Sequence, residues 1–460
     1  MHSLEDTIAA IATPQGDGAL GILRVSGTQA IALVHKIFKP VAHGDLLSAP
    51  SHTCHVGTLM GTEPIDHVVV SLFRAPRSYT GEDVVEISAH GSPFVLQKIL
   101  ALCLHQGARL AEPGEFTQRA FVAGKMDLTQ AEAVAELIRA KTDKTHAAAL
   151  AQLEGRLATE IRTLRDQLLP LLAHVEVGLD HSDEDHDFLS RSKLVEKGES
   201  VLQRLDVILA TERTSKILRE GLRVALVGRP NVGKSSLLNA LLKEERAIVT
   251  PIAGTTRDTL EESVNWDGIP VILVDTAGLR THTQDPVEKI GIERTRRSVE
   301  QADFVIGLLD ASQPLTPEDR AVVDACLAKP HLWVLNKSDL PITLDRSEFH
   351  RWNGQSPLVS VSAKTGEGLL GLIELVKQQA LQEKSSTAEA QWLINTRHAD
   401  ALRRARAAIL EAIAAARGKV YEECVAMELK AAINALGEVI GEVSTEDLLG
   451  EIFKNFCIGK

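Results

Sequence analysis

The octapeptide GRPNVGKS at residues 228–235 stands between an apolar, strand-like run, LRVALV, and a helical pattern, SLLNALLKEE. A glycine-bounded loop ending in Gly-Lys-Ser at such a junction is a phosphate cradle. Its glycines let successive backbone N–H groups curl around phosphate oxygens. Lys234 then reaches the β- and γ-phosphates, and the Ser235 hydroxyl can ligate Mg²⁺. The helix that begins there points its positive end at the same anion. The surrounding pattern agrees with a parallel sheet and crossover helices. LRVALV, IPVILVD, DFVIGLLD, HLWVLN and PLVSVS alternate with helix-like segments from Leu222 to about residue 380.

Three further motifs follow in the order a GTPase needs, each at the end of one of these runs. DTAG (275–278) places Asp275 to hold the Mg²⁺ shell and the Gly278 amide to face the γ-phosphate. In NKSD (336–339), Asp339 can accept two hydrogen bonds from the N1–H and N2–H₂ edge of guanine, a donor pair adenine lacks. Asn336 and Lys337 support the base and the loop. SAK, made of Ser362, Ala363 and Lys364, can set a backbone amide near guanine O6. In TPIAGTTRD (250–258), Thr255 or Thr256 should give the second hydroxyl to Mg²⁺, and Thr256 is the choice. The expected nucleotide contacts are therefore Asn231, Val232, Gly233, Lys234, Ser235 and Ser236. To these are added Thr250, Pro251, Ile252, Ala253, Gly254, Thr255 and Thr256, then Asp275, Thr276, Ala277 and Gly278, with NKSD and SAK completing the set.

One position departs from the common GTPase pattern. Many such enzymes orient the attacking water with a Gln directly after the glycine of DxxG; here that position is Leu279. No arginine finger can be assigned either. A different cation could neutralise charge between the β- and γ-phosphates, and Asn231 supplies a neutral oxygen ligand of the right type.

At 460 residues the chain has room for about three domains. Residues 1–118 mix short alternating segments with Gly and Pro punctuation, an α+β pattern dominated by strands. Residues 119–218 read as helical, with Leu150, Leu153, Leu157, Ile161, Leu164, Leu168, Leu171 and Val175 forming one seam on a long helix. Residues 219–381 form the α/β segment, and 382–460 return to a helical pattern. The expected fold is thus multidomain: an α+β N-terminal domain, a discontinuous α-helical domain, and an inserted Ras-like α/β P-loop GTPase domain.

Charge and cysteine content narrow the function. Lys+Arg number 50 against 62 Asp+Glu, a net charge of −12, so any nucleic-acid contact must come from a local basic patch. The best candidate is 397–419, with Arg397, Arg403, Arg404, Arg406, Arg417 and Lys419 against Asp400 and Glu411. Cys54, Cys103, Cys326, Cys424 and Cys457 are scattered without a C-x-x-C pair, which fits a reducing cytoplasm better than a disulfide framework. No secretory leader is legible in MHSLEDTIAA, and no stretch approaches 18 uncharged apolar residues, so no membrane span is expected. DHSDEDHD (180–187) has metal-ligand residue types but the charge of a solvated loop, and His90 reads as structural.

GRPNVGKSSLLNAL, GTTRD, DTAGLR, VEKIGIER and the terminal CIGK together resemble the tRNA modification GTPase family MnmE, also called TrmE. LRVSG (23–27), YTGEDVVE (79–86), PGEFTQRAF (113–121) and KMDLTQAEA (125–133) carry the resemblance over essentially the whole chain. It implies a homodimeric, potassium-stimulated GTPase working with a flavin-containing partner of the MnmG (GidA) type. Together they add a (carboxymethyl)aminomethyl group at C5 of the wobble uridine of certain tRNAs. The N-terminal domain of the family resembles folate-binding aminomethyltransferases, dimerises, and holds a tetrahydrofolate derivative (5-formyl or methylene) as one-carbon donor.

Carried over motif by motif, the K⁺ ligands are Asn231, Thr255 and the carbonyls of Thr250 and Ile252, so that the ion stands where an arginine finger would. Glu288 in VEKIGIER matches the family glutamate that positions the attacking water through an intervening one, which would fill the vacancy at Leu279. THTQDP (281–286) is one residue longer than usual. Folate contacts fall on Arg24, Glu82, Lys125 and Lys460. A carboxylate suits pterin N–H groups, and Arg or Lys suits glutamate-tail carboxylates. Ser92 replaces a family glycine in HGS (90–92). For Cys457, both a nucleophile and a packing residue remain open readings. A regulatory ribosome-assembly GTPase would share GTTRD, DTAG and NKSD but should carry a recognisable RNA-binding domain, which is not found. A GTP-gated iron transporter would need membrane spans.

Overall fold

In a computed structural model, the chain is described at all residues except 1–5, 42–44, 181–190, 245–261, 275–295, 355, 382–391, 419–421, 444–445 and 455. It divides into two compact units. The first comprises Met1–Ile138, Gln152–Leu205 and Asp400–Lys460, and the second Arg139–Ala151 and Asp206–Ala399.

The first unit is built on seven strands: β1 (Ile8–Ile11), β2 (Gly18–Ser26), β3 (Phe38–Pro40), β4 (Thr53–Met60), β5 (Pro64–Phe73), β6 (Val84–Gly91) and β7 (Arg109–Leu110). Their spatial order is β3-β4-β5-β6-β2-β1-β7, antiparallel throughout except for the parallel β1–β7 pair. Alternation decides which face is covered. Val68, Val70 and Leu72 of β5 and Val85 and Ile87 of β6 are buried against the helices Ala30–Ile37 and Pro93–His105. Those helices turn Ile31, Leu33, Val34 and Ile37, and Leu96, Ile99, Leu100 and Cys103, into the same core.

The expected single long helix at Leu150–Val175 is in fact two, the first of which belongs to the second unit up to Ala151. The helices Asp143–Leu153 and Arg156–Asp180 are separate, and Leu150 is exposed. Gly155 causes the break, because its φ of 82° lies in the left-handed region, which a continuing helix of L-residues cannot adopt. Downstream of the break the seam is as expected up to Leu171, and Val175 is only half-buried. Leu157, Ile161, Leu164, Leu168 and Leu171 are buried at three- and four-residue steps, and the helix packs against Glu422–Ile440.

The second unit holds β8 (Leu222–Val227), β9 (Glu262–Trp266), β10 (Ile269–Val274), β11 (Phe304–Asp310), β12 (His331–Asn336) and β13 (Leu358–Ser360). The order is β13-β12-β11-β8-β10-β9, all parallel apart from the β9–β10 hairpin. That hairpin turns through Asp267 (φ 48°) and Gly268 (φ 86°), the residue pair a two-residue turn with both centres at positive φ favours. Every residue of β11 is buried, as expected of a central strand with both faces covered. Burying each of its large apolar side chains contributes about 1.5–3 kcal/mol relative to exposure. Lys234–Glu244 and Leu369–Leu381 cover one face, and Pro317–Cys326 and Arg346–Asn353 the other. The α+β, helical and P-loop α/β components expected from the sequence are all present. Among the described residues no helix is long and apolar enough to cross a membrane.

Candidate nucleotide-binding site

The loop 228–233 leaves the carboxyl end of β8 and delivers Lys234 as the first residue of the helix Lys234–Glu244. Asn231 (φ 65°) and Gly233 (φ 97°) hold the left-handed backbone that curls the loop. Lys234 Nζ donates to the carbonyls of Gly228 (2.7 Å) and Arg229 (2.8 Å). Burial pushes the pKa of this ammonium down to about 8. Ser235 is half-buried and Ser236 exposed on the first turn.

Asn336, at the end of β12, joins the loops that follow β8, β12 and β13. Its Nδ2 donates to the Val232 carbonyl (2.8 Å), and its Oδ1 accepts from the Ala363 amide (3.1 Å). Gly233 permits this approach, since a Cβ there would lie 2.2 Å from Asn336 Nδ2. Ser362 Oγ donates to Asp339 Oδ1 at 2.7 Å, fixing the orientation of the exposed carboxylate. Lys337 Nζ donates to Asp310 Oδ2 at 2.6 Å, and Lys364 is exposed beside Ala363. The P-loop, NKSD and SAK are thus brought together at one sheet edge. Thr250, Pro251, Ile252, Ala253, Gly254, Thr255, Thr256, Asp275, Thr276, Ala277, Gly278 and Glu288 lie outside the described residues.

Two participants were not singled out by sequence reasoning. Asp310 follows an apolar run and reads there as an ordinary strand end. Arg229 reaches away from its own loop, donating to Gln313 Oε1 (2.6 Å) and standing 3.2 Å from Asp319 Oδ1. The Thr316–Asp319 capping box, legible as T-P-E-D, was the available signal for Asp319.

In the first unit, Arg24 on β2 pairs with Glu86 Oε1 through Nε (2.9 Å) and an Nη (2.7 Å), and approaches the Gly459 carbonyl at 3.5 Å. Its guanidinium lies 5.2 Å from the centroid of the Tyr79 ring and 5.6 Å from that of Phe116. Lys460 is close enough for burial and then Arg24 to lower its pKa. Glu82 accepts from Ser26 Oγ (2.7 Å) and from Arg119 (3.1 Å). Lys125 donates to the Pro76 carbonyl (2.8 Å) and runs along Gly81. Arg24 therefore reaches the C-terminal tail at Gly459, the neighbour of Lys460, and Glu82 and Lys125 lie on neighbouring stretches of chain.

Glu82 is one edge of a buried ionic cluster. Arg119 also donates to Glu115 Oε1 (2.9 Å), the Asp6 carboxylate (2.5 Å) and the Asp6 carbonyl (2.7 Å). Arg109 bonds Glu115 (2.5 Å) and Asp6 (2.6 Å). Burial alone would raise the pKa values of Asp6 and Glu115, but hydrogen bonds and charge from the two arginines outweigh it and lower both.

The remaining candidates are more dispersed. Cys457 is exposed, with its carbonyl accepting from the Gly114 amide at 3.3 Å. His90 Nδ1 is 2.7 Å from Asp66 Oδ1. In the basic segment, Arg403 bonds Asp400, Arg404 bonds Glu438 and Arg417 bonds Glu199, so acidic neighbours offset much of its charge. Lys419 and residues 181–187 of DHSDEDHD lie outside the described residues.

Comparison with known proteins gives matches along the whole chain. A family model described as the MnmE helical domain matches residues 128–457, and one described as the GTP-binding protein TrmE N-terminus matches residues 7–125. The chain is 46% identical over 462 residues to the tRNA modification GTPase MnmE of Aquifex aeolicus, covering 99% of this chain and 100% of that protein. It is 45% identical over 457 residues to that of Listeria innocua and 43% identical over 458 residues to that of Thermoanaerobacter pseudethanolicus, covering 99% of both chains in each case.

Proposed function

The chain belongs to the tRNA modification GTPase family MnmE, and from this we propose that it is a potassium-stimulated enzyme that modifies C5 of the wobble uridine of certain tRNAs together with a flavin-containing partner. GTP hydrolysis in tRNA modification follows from membership; the cation, the partner and the one-carbon donor are the proposal. The observation that supports the GTP reading best is the bridge from Asn336 to both Val232 and Ala363, which ties the phosphate loop to the base-reading loops. In this reading Asp339 reads guanine, and Lys234 exchanges its two carbonyl partners for phosphate oxygens. Ser235 and Thr256 hold Mg²⁺, and Glu288 positions water.

Asn231, exposed on a left-handed turn, offers the neutral amide oxygen a K⁺ site needs, with Thr250, Ile252 and Thr255 as the other donors. A K⁺ ion held by these residues would supply positive charge to the phosphates of the nucleotide. Hydrolysis is then expected to be about tenfold faster in K⁺ than in Na⁺, about 1.4 kcal/mol of transition-state stabilisation. Equal initial rates in the two salts would remove Asn231 from cation binding.

Residues 1–118 are assigned to folate binding and dimerisation, 219–381 to GTP, and 119–218 with 382–460 to the helical domain. The donor set suits an acidic, N–H-rich ligand: Arg24 reaches the tail that ends in Lys460, and Glu82 presents a carboxylate. A bound tetrahydrofolate derivative supplies the one-carbon unit. Arg24 and Lys460 would hold its acidic tail, Glu82 would accept from its ring N–H groups, and Lys125 would add a further cation.

Mass spectrometry of wobble nucleosides from cells lacking this protein tests the whole reading. Loss of the C5-modified uridines is expected; an unchanged nucleoside profile would refute it.

A further inference from the structure

Asp310 ends β11 with its side chain 1% exposed. A carboxylate buried to that degree stays charged only when paired and hydrogen-bonded. Both of its oxygens are engaged. Oδ1 accepts from the backbone amide (3.0 Å) and hydroxyl (2.6 Å) of Ser312, and Oδ2 accepts from Lys337 Nζ at 2.6 Å. Burial opposes the charge, yet Lys337 and Ser312 hold the carboxyl below its ordinary pKa.

The partner is unusual in its backbone. Lys337 has φ 63°, a left-handed conformation that is unfavourable for an L-residue. It lies between Asn336, which bridges Val232 and Ala363, and Asp339, which Ser362 orients. The chain after Asp310 grips the same turn a second time, because the Ala311 amide donates to the Asn336 carbonyl at 2.9 Å. β11 and β12 place Asp310 and Asn336 opposite each other in parallel register. The end of β11 therefore clamps the NKSD turn by its backbone at one residue and by a buried charge at the next.

We propose that Asp310 is a positioning residue of the guanine site: it fixes Lys337, and through Lys337 the left-handed turn that aims Asp339 at the base. This rests on the reading of NKSD as the guanine-binding segment. Asp310 touches neither base nor phosphate in this account, so it should govern nucleotide affinity and leave the chemical step alone.

The test is a mutant cycle in the full-length protein, read by fluorescent GDP affinity and by GTPase kinetics. With the charge that holds Lys337 removed, Asp310→Asn should weaken GDP binding and raise KM for GTP by about tenfold, about 1.4 kcal/mol. kcat at saturating GTP should remain within about twofold. Lys337→Met should show a loss of similar size, and Asp310→Asn added to it should cost nothing further. Unchanged affinity in Asp310→Asn, losses that simply add in the double variant, or a fall in kcat at unchanged KM would each overturn the proposal.

Should Asp310→Asn fail to fold, Asp310→Leu combined with Lys337→Met removes both charges together, a replacement that buried pairs often tolerate. Its affinity must then equal that of Lys337→Met alone, and a weaker affinity overturns the proposal. Asp339→Asn separates this claim from the one beneath it. If that variant keeps its guanine preference, the reading of NKSD fails. If it turns to xanthine while Asp310→Asn binds normally, only the role of Asp310 fails.

Discussion

Replacing Arg119 by Met is expected to destabilise the first unit by about 3–5 kcal/mol, the usual cost of removing one partner from a buried ionic cluster. The Arg119 side chain is 2% exposed and donates to Asp6, Glu82 and Glu115. Met fills a similar volume but leaves three carboxylates with only Arg109 among the cations of the cluster. Hydrogen exchange at the amides of β1, β2 and β7 measures the effect; a loss below about 1 kcal/mol would show that the cluster contributes little. The pH dependence follows from the sign of the shifts. Asp6 and Glu115 have folded pKa values below their unfolded ones. Their stabilisation is therefore present above the unfolded carboxyl values, about 3.9–4.3, and is lost as pH falls through the lower, folded values. Arg119→Met should flatten that acid dependence while lowering stability at neutral pH.

Asp339→Asn should weaken guanine nucleotide binding about a hundredfold or more, since two charge-assisted hydrogen bonds are lost at once. It should also transfer preference to xanthine. Ser362 Oγ already donates to Asp339 Oδ1, and an Asn in the same rotamer keeps that acceptor while turning its amide N–H₂ outward. Xanthine presents a carbonyl oxygen where guanine presents N2–H₂, so the new donor meets an acceptor. Competition between GTP and XTP measures the exchange. Retained guanine preference would remove Asp339 from base recognition.

The parts of this molecule that could be read from sequence are those whose signal is local. LRVALV, DFVIGLLD and HLWVLN are short apolar runs with turn residues behind them, and each is a strand of the second sheet. ESVNW, now β9, alternates weakly and is betrayed only by the Asp-Gly pair that follows it. The helical seam was legible in its period but not in its interruption, because Gly155 carries its message in φ. The order of GRPNVGKS, NKSD and SAK indicated one nucleotide edge, and the residues meet there. What escaped is charge buried at long range. Arg109 and Arg119 meet Asp6 across 103 and 113 residues. Asp310 hid for a related reason, since an acidic residue after an apolar run looks solvated until the neighbouring strand is placed beside it.

The pairing of Arg156–Asp180 with Glu422–Ile440 bears on how the chain is made. A nascent polypeptide emerges from its amino end and domains tend to fold as they appear. The second unit is fully synthesised by Ala399 and can close while translation continues. The first unit has its sheet early but the helix Glu422–Ile440 late, so the apolar stripe from Leu157 to Leu171 lacks that partner during the intervening synthesis. Apolar surface left open in that interval is prone to aggregate.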